Sequence, residues 1–267
     1  MEFRTIVDVA DPGFRIAPCE EMLFVGSCFA TEMGRRFQDE KFRAVVNPFG
    51  VMYNPASILH TIERVDASPQ VVFLTLGTNH VYRLKETEEI VDNCQKRPQS
   101  LFVEEELSVD ACAGYLQQAI AILREKNPEI HIVLTVSPIR YRKYGYHGSQ
   151  LSKATLLLAV DKVCNGLTQS VAYFPAYEIV NDELRDYRFY KEDMLHPSDQ
   201  TVEYIWQRLS EVYLSDEAKA FIKEWAPLKA VLHHRPFNPN SDEYRVLMDK
   251  TMLKVAALQK KYPNFAL

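Results

Sequence analysis

The sequence predicts an α/β fold: a doubly wound, mainly parallel five-stranded sheet with helices on both faces, and a helical appendage at the C-terminal end. Three observations predict it. Strand-like and helix-like segments alternate along most of the chain, as they do when strands are joined by helical crossovers. Several of the apolar runs stop at glycine or at turn-rich residues. The length, 267 residues of which 47% are hydrophobic and 25% charged, suffices for one large core with or without a small appendage.

The elements follow in order. "MLFVGS" (22–27) reads as a buried strand and "TEMGRRFQDE" (31–40) as the helix after it. "FRAVV" (42–46) is a second short strand that ends in "NPFG". Asn54 and Pro55 then open a helix, as N-cap and first helical residue. "VVFLTLG" (71–77) is a third strand stopped by Gly77. "HVYRLKETEEIVDN" (80–93) alternates around a charged turn and predicts a hairpin outside the main sheet. From Ser108 the period becomes helical, with Val109, Cys112, Leu116, Ile120 and Leu123 on one stripe. "IHIVLTVSP" (130–138) is the fourth strand, and the loop "IRYRKYGYHG" leads to a helix from about Gln150 to Leu167. "VAYF" (171–174) is the fifth strand, and residues 199–214 return to helix. We expect one domain over residues 1–225. Residues 226–267 would form an appendage, with "PLKAVLHHRPFNPNS" irregular and an amphipathic helix opened by Ser241.

Composition excludes several function classes. A net charge of -5, spread along the chain, gives no electrostatic case for nucleic acid or an anionic membrane. No apolar run is long enough to span a bilayer, and the N-terminal residues do not pattern as a signal peptide. Five scattered cysteines without a CxxC pair fit reduced thiols, hence a cytoplasmic setting, better than disulfides or a zinc site.

In doubly wound sheets, ligands sit beyond the carboxyl ends of the strands. Ser27, Gly50, Gly77 and Ser137 all follow strand ends. A serine hydroxyl needs a base within reach and a third group to orient that base. Of the seven histidines, His60 and His131 sit inside helix and strand patterns, and His233 and His234 in the proline-rich stretch. His196 stands apart in "DMLHPS", where Asp193 could fold back onto Nδ1 and leave Nε2 for a serine. Acyl transfer also needs donors for the oxyanion. The strand ends offer Ser27, Gly50 and the "GTN" that ends in Asn79. Other roles stand beside these: Ser27 as an N-cap, Cys28 as the nucleophile, and Asn79 as a turn residue.

The ordered set of Ser, Gly, GxN and DxxH resembles the four blocks of the SGNH, or GDSL-type, hydrolase superfamily. Within it, "GSCFA" at 26–30 resembles the signature of the GSCFA family. "NPFGVMYNP", "TLGTNHVYR", "TVSPIR", "QLSKATL" and "YFPAYEIVNDELRDYRFYKEDMLHPS" are also similar to that family, over about residues 20–210. The resemblance implies a flavodoxin-like sheet. It also implies Ser27 as nucleophile, His196 as base, Asp193 as its orienter, and an oxyanion hole from Ser27, Gly50 and Asn79. Three positions depart from the superfamily blocks or from relatives: Gly26 stands where a GDSL block has Asp, His80 follows Asn79 where many members have Asp, and Gln95 stands where a His is expected.

The implied activity is hydrolysis of a short acyl, most plausibly acetyl, ester of a carbohydrate-like alcohol, with no metal or cofactor. An O-acyltransferase passing the acyl group to a sugar, or a binding protein that kept the fold, are the alternatives. Tyr82, Arg140, His147 and Arg188 are candidate contacts to a small-molecule or glycan ester.

Overall fold

A computed structural model describes residues 3–166, 171–265 and 267. Its main sheet has the order β2-β1-β3-β7-β8, with every neighbouring pair parallel. The strands are β1 (Glu21–Gly26), β2 (Arg43–Val46), β3 (Val71–Leu76), β7 (His131–Val136) and β8 (Val171–Tyr173). These are the five strands read from the sequence. The order doubles back at β1, because β2 lies on one side of it and β3 on the other, so the crevice opens at the carboxyl ends of β1 and β3.

Helices cover both faces, and each burial stripe explains its placement. On one face α2 (Pro55–Arg64), α3 (Val109–Lys126) and α4 (Gly145–Gly166) pack Ile58, Ile62, Leu116, Ile120 and Leu156 against Leu23, Leu74 and Leu134. On the other, α1 (Cys28–Asp39) and α6 (Asp199–Tyr213) pack Phe29, Phe37 and Trp206 against Phe24 and Phe73. Phe24 stacks on Phe73 at 4.8 Å between ring centroids, which couples β1 to β3 directly beneath the residues that leave the sheet. Asn54 caps α2 as expected, its Oδ1 accepting from Ser57 N at 2.9 Å with Pro55 in the first turn.

Three details correct the sequence reading. The expected hairpin, β4 (His80–Leu84) with β5 (Ile90–Val91), lies outside the main sheet but gains a third strand, β6 (Phe102–Glu106). β6 was not anticipated because "FVEEE" carries three acidic residues; an exposed edge strand accommodates them, with Arg83 and Lys143 pairing Glu105 and Glu104. Helix α4 starts five residues earlier than Gln150, so His147 lies on its first turn rather than in a loop; its expected end at Leu167 falls outside the described residues.

The third correction concerns residues 227–233, expected to be irregular. They form the last turns of α7 (Asp216–His233), which runs through Pro227. A proline within a helix costs on the order of 3 kcal/mol. Burial of Phe221, Trp225 and Leu228 against Val255, Leu258 and Tyr262 offsets it, the latter from α8 (Asp242–Lys261) and the residue after it. The amphipathic helix from Ser241 is as expected, with Ser241 accepting from Tyr244 N. This pair of helices is tied to the body, where Trp225 Nε1 donates to Asp39 O at 3.1 Å and Lys229 pairs with Glu40 at 3.0 Å. Among the described residues, no helix is long and apolar enough to cross a membrane.

Candidate active site

The junction of β1 and α1 is built by a glycine that nothing else could replace. Gly26 has φ of +141°, and a Cβ there would stand 2.0 Å from Thr75 O. Its N–H donates to Asn47 Oδ1 at 2.9 Å, and its carbonyl accepts from Met52 N at 2.9 Å. Ser27 follows in extended backbone and caps α1, its Oγ accepting from Phe29 N at 3.3 Å. The helix N-terminus lends partial positive charge to that oxygen, which favours a developing alkoxide or oxyanion. Ser27 is completely buried.

The histidine side is local and exposed. Asp193 Oδ1 accepts from Leu195 N at 2.8 Å and His196 N at 3.0 Å, while Oδ2 meets His196 Nδ1 at 2.6 Å. Those two backbone donors and the imidazole together hold the Asp193 carboxyl down at about 2. Met194 sits between them in left-handed backbone, φ +60°, which is what folds the carboxylate back over its own turn. The pair is 40% and 43% exposed. Among the described residues, no hydrogen bond joins His196 to Ser27; apo catalytic bonds commonly tighten only when substrate arrives. Lys191 links the histidine turn to α1 through Glu32 at 3.5 Å.

The expected oxyanion donors are engaged within the protein. Ser27 N donates to Thr75 O at 3.0 Å and Gly50 N to Asn47 O at 2.9 Å. Asn79 is buried, and its Nδ2 donates to Leu107 O at 2.8 Å.

The candidate substrate contacts separate into two groups. Arg140 follows β7 and donates to Met194 O at 2.9 Å, while its guanidinium lies over the rings of Tyr146, Tyr187 and Tyr190 at 4.4, 5.5 and 5.6 Å. A cavity of about 230 Å³ opens beside it, lined also by Gln150, Asn181, Arg185, Tyr187 and Tyr190. The others are not brought to this cavity. Tyr82 lies on β4 with its hydroxyl on Glu104 at 3.0 Å, His147 is exposed on α4, and Arg188 is exposed and pairs with Asp186 at 3.2 Å.

Two residues at the crevice were not singled out from sequence. Lys153 on α4 is 2% exposed, and its ammonium donates to Gly77 O at 2.6 Å and Ser137 O at 2.7 Å. Burial draws it down to about 7. It shares the buried stripe of Ser149, Ser152, Leu156 and Val160, a helical spacing that could have flagged a lysine on an inward face. Tyr141, two residues beyond Ile139, presents its ring to that ammonium at 5.0 Å.

The GSCFA family model matches residues 21–69 and 66–209, and the model of the GSCFA domain protein C-terminal domain matches residues 225–267. No curated protein matches the chain. Among solved structures, a family 3 carbohydrate esterase from Talaromyces cellulolyticus is 12% identical, with TM-score 0.45 over 77% of this chain and 99% of its own. A catalytic mutant of an acetylxylan esterase from Geobacillus stearothermophilus is 14% identical, with TM-score 0.47 over 76% and 98%. A member of the lipolytic G-D-S-L family from Veillonella parvula is 13% identical, with TM-score 0.46 over 72% and 97%. Since its family model spans most of the sequence, the chain belongs to the GSCFA family.

Proposed function

We propose that this GSCFA-family chain is a serine esterase that removes a short acyl group, acetyl in the simplest case, from a carbohydrate-like alcohol. The observation that supports the reading is the Asp193–His196 pair, oriented through Nδ1, alongside a serine at the N-terminus of α1. An imidazole fixed this way keeps Nε2 as the proton acceptor.

In the first half-reaction, Ser27 Oγ attacks the acyl carbon while its proton passes to His196 Nε2. The carbonyl electron pair moves to oxygen, then returns as the bond to the alcohol oxygen breaks and His196 protonates that oxygen. Water, deprotonated by His196, attacks the acyl-serine and releases the acid and Ser27. Asp193 remains ionised throughout and stabilises the imidazolium. The cavity beside Arg140 suits the alcohol: its tyrosine rings match the apolar faces of a sugar, and Gln150 and Asn181 supply amides for its hydroxyls. Five unpaired thiols support a reducing, cytoplasmic setting.

The test is a fluorophosphonate probe alongside p-nitrophenyl acetate, applied to wild type and Ser27→Ala. Labelling and turnover in wild type, both lost in Ser27→Ala, support the reading. Labelling that persists in Ser27→Ala removes Ser27 as the nucleophile.

A further inference from the structure

The Tyr141 hydroxyl is fully buried and has no hydrogen-bond partner among the described residues. An unsatisfied buried hydroxyl costs about 1–3 kcal/mol. Among the described residues several serine and threonine hydroxyls are also unpartnered, Thr75 Oγ1 among them. Those can rotate about a single bond toward a carbonyl of their own chain. A phenol oxygen cannot: it sits at the end of a rigid ring, so a partner must come to it.

The surroundings fix where that partner would arrive. The oxygen lies against the backbone of Gly77, where a Cβ would stand only 2.2 Å away, so glycine is what admits the hydroxyl to the end of β3. Gly77 is two residues past Thr75, whose carbonyl holds Ser27 N. On the other side, Tyr53 packs edge-on to Tyr141 at 6.0 Å, and the Tyr53 hydroxyl is 3.7 Å from the sulfur of Cys28, the neighbour of Ser27. Ser149 Oγ anchors Tyr141 N at 3.1 Å, and Lys153 places its ammonium over the ring. Burial, reinforced by Cys28 and Tyr53, keeps the phenol protonated far into the alkaline range, so it is a donor at neutral pH.

An acyl-transfer site needs donors that are ready before the reaction begins. Ser27 N and Gly50 N must each give up a present bond to serve, and Asn79 Nδ2 already spends one of its two N–H groups on Leu107 O. Tyr141 need give up nothing. We propose that Tyr141 is a catalytic residue whose hydroxyl donates to the substrate oxyanion formed at Ser27, an inference that rests on the esterase reading above. No proton is transferred in this contact: as the Ser27 Oγ–C bond forms and its proton goes to His196, the new O⁻ accepts the Tyr141 O–H, and releases it when the carbonyl reforms.

Tyr141→Phe isolates the hydroxyl, because the ring over Gly77 and beneath Lys153 is kept. We expect kcat for p-nitrophenyl acetate to fall about a hundred- to a thousand-fold, as for one lost oxyanion donor. KM should stay within about threefold, and phosphonate labelling should slow in parallel. Thermal stability should be unchanged or raised, because the variant deletes an unsatisfied group. Turnover within about fivefold of wild type, with Ser27→Ala still inactive, overturns the Tyr141 role and leaves the esterase intact. A lowered Tm with activity lost only in proportion also overturns it, since that is the signature of a packing residue. Wild-type protein that neither labels nor hydrolyses overturns the esterase reading, and the Tyr141 role with it.

Discussion

The two halves of the candidate site are built on opposite principles. The serine corner is a product of the sheet: Gly26, Ser27, Thr75, Gly77 and Lys153 are set by parallel pairing and by bonds between residues far apart in sequence. The histidine corner is mostly a product of one turn, in which Asp193, three residues away, holds both the imidazole and the amide of His196. The first is buried and rigid, the second half-exposed. A substrate can therefore reach His196 without rearranging the core, whereas Ser27 is completely buried. Chemistry that depends on both corners should fail completely when either is removed, but stability should fall only when the serine corner is touched.

Ser27→Ala is the strongest way to break that comparison. Turnover should drop on the order of a million-fold. Cys28→Ala, one residue along, should keep substantial activity because its side chain faces Tyr53. Loss of labelling in the Cys28 variant rather than the Ser27 variant would exchange their roles.

Asp193→Asn tests the other corner. The amide can still accept from Leu195 N and His196 N, so the turn and the Tm should survive. It can stabilise the wrong imidazole tautomer, and turnover should fall about ten-thousand-fold. Near-normal rates would reduce Asp193 to a turn-forming residue.

Asn79→Ala sharpens the comparison at the serine corner. Its amide ties the end of β3 to Leu107 O, just past β6, so stability should fall by about 1–3 kcal/mol in denaturant titrations. If turnover falls a hundred-fold as well, the second N–H of Asn79 Nδ2 serves the oxyanion and Asn79 is a donor after all.

These differences also mark what could be read from the residues. The five strands were legible because parallel strands buried on both faces are continuous apolar runs. β6 was not, because an acidic edge strand lacks that signal, and α7 was lost at Pro227, where packing of Phe221 and Trp225 overrides the local rule. Asp193–His196 was legible as a pattern because its geometry is contained within four residues. The bonds that occupy Ser27 N, Gly50 N and Asn79 Nδ2, and the meeting of Tyr141 with Lys153 and Gly77, belong to tertiary structure and leave no mark on neighbouring residues.

Lys153 gives the smallest predicted effect. Its ammonium is enclosed by Gly77 O, Ser137 O and the rings of Tyr141 and Tyr177, with no carboxylate paired to it among the described residues, and burial brings it down to about 7. In the unfolded chain a lysine keeps its proton to about pH 10. Between those values the unfolded state binds more protons than the folded one, so this residue makes stability rise with pH across the interval. The burden of the buried charge is fully present below about pH 7 and absent above about pH 10. The slope for one proton cannot exceed about 1.4 kcal/mol per pH unit, and the two carbonyl bonds, which favour the charged form, reduce it. Wild type should gain on the order of 1 kcal/mol between about pH 7.5 and pH 9 relative to Lys153→Met, whose neutral side chain has no such slope. Urea titrations of both proteins at the two pH values measure the difference. A difference that is zero would mean that Lys153 stays charged in the folded protein through this range, held by Gly77 O and Ser137 O.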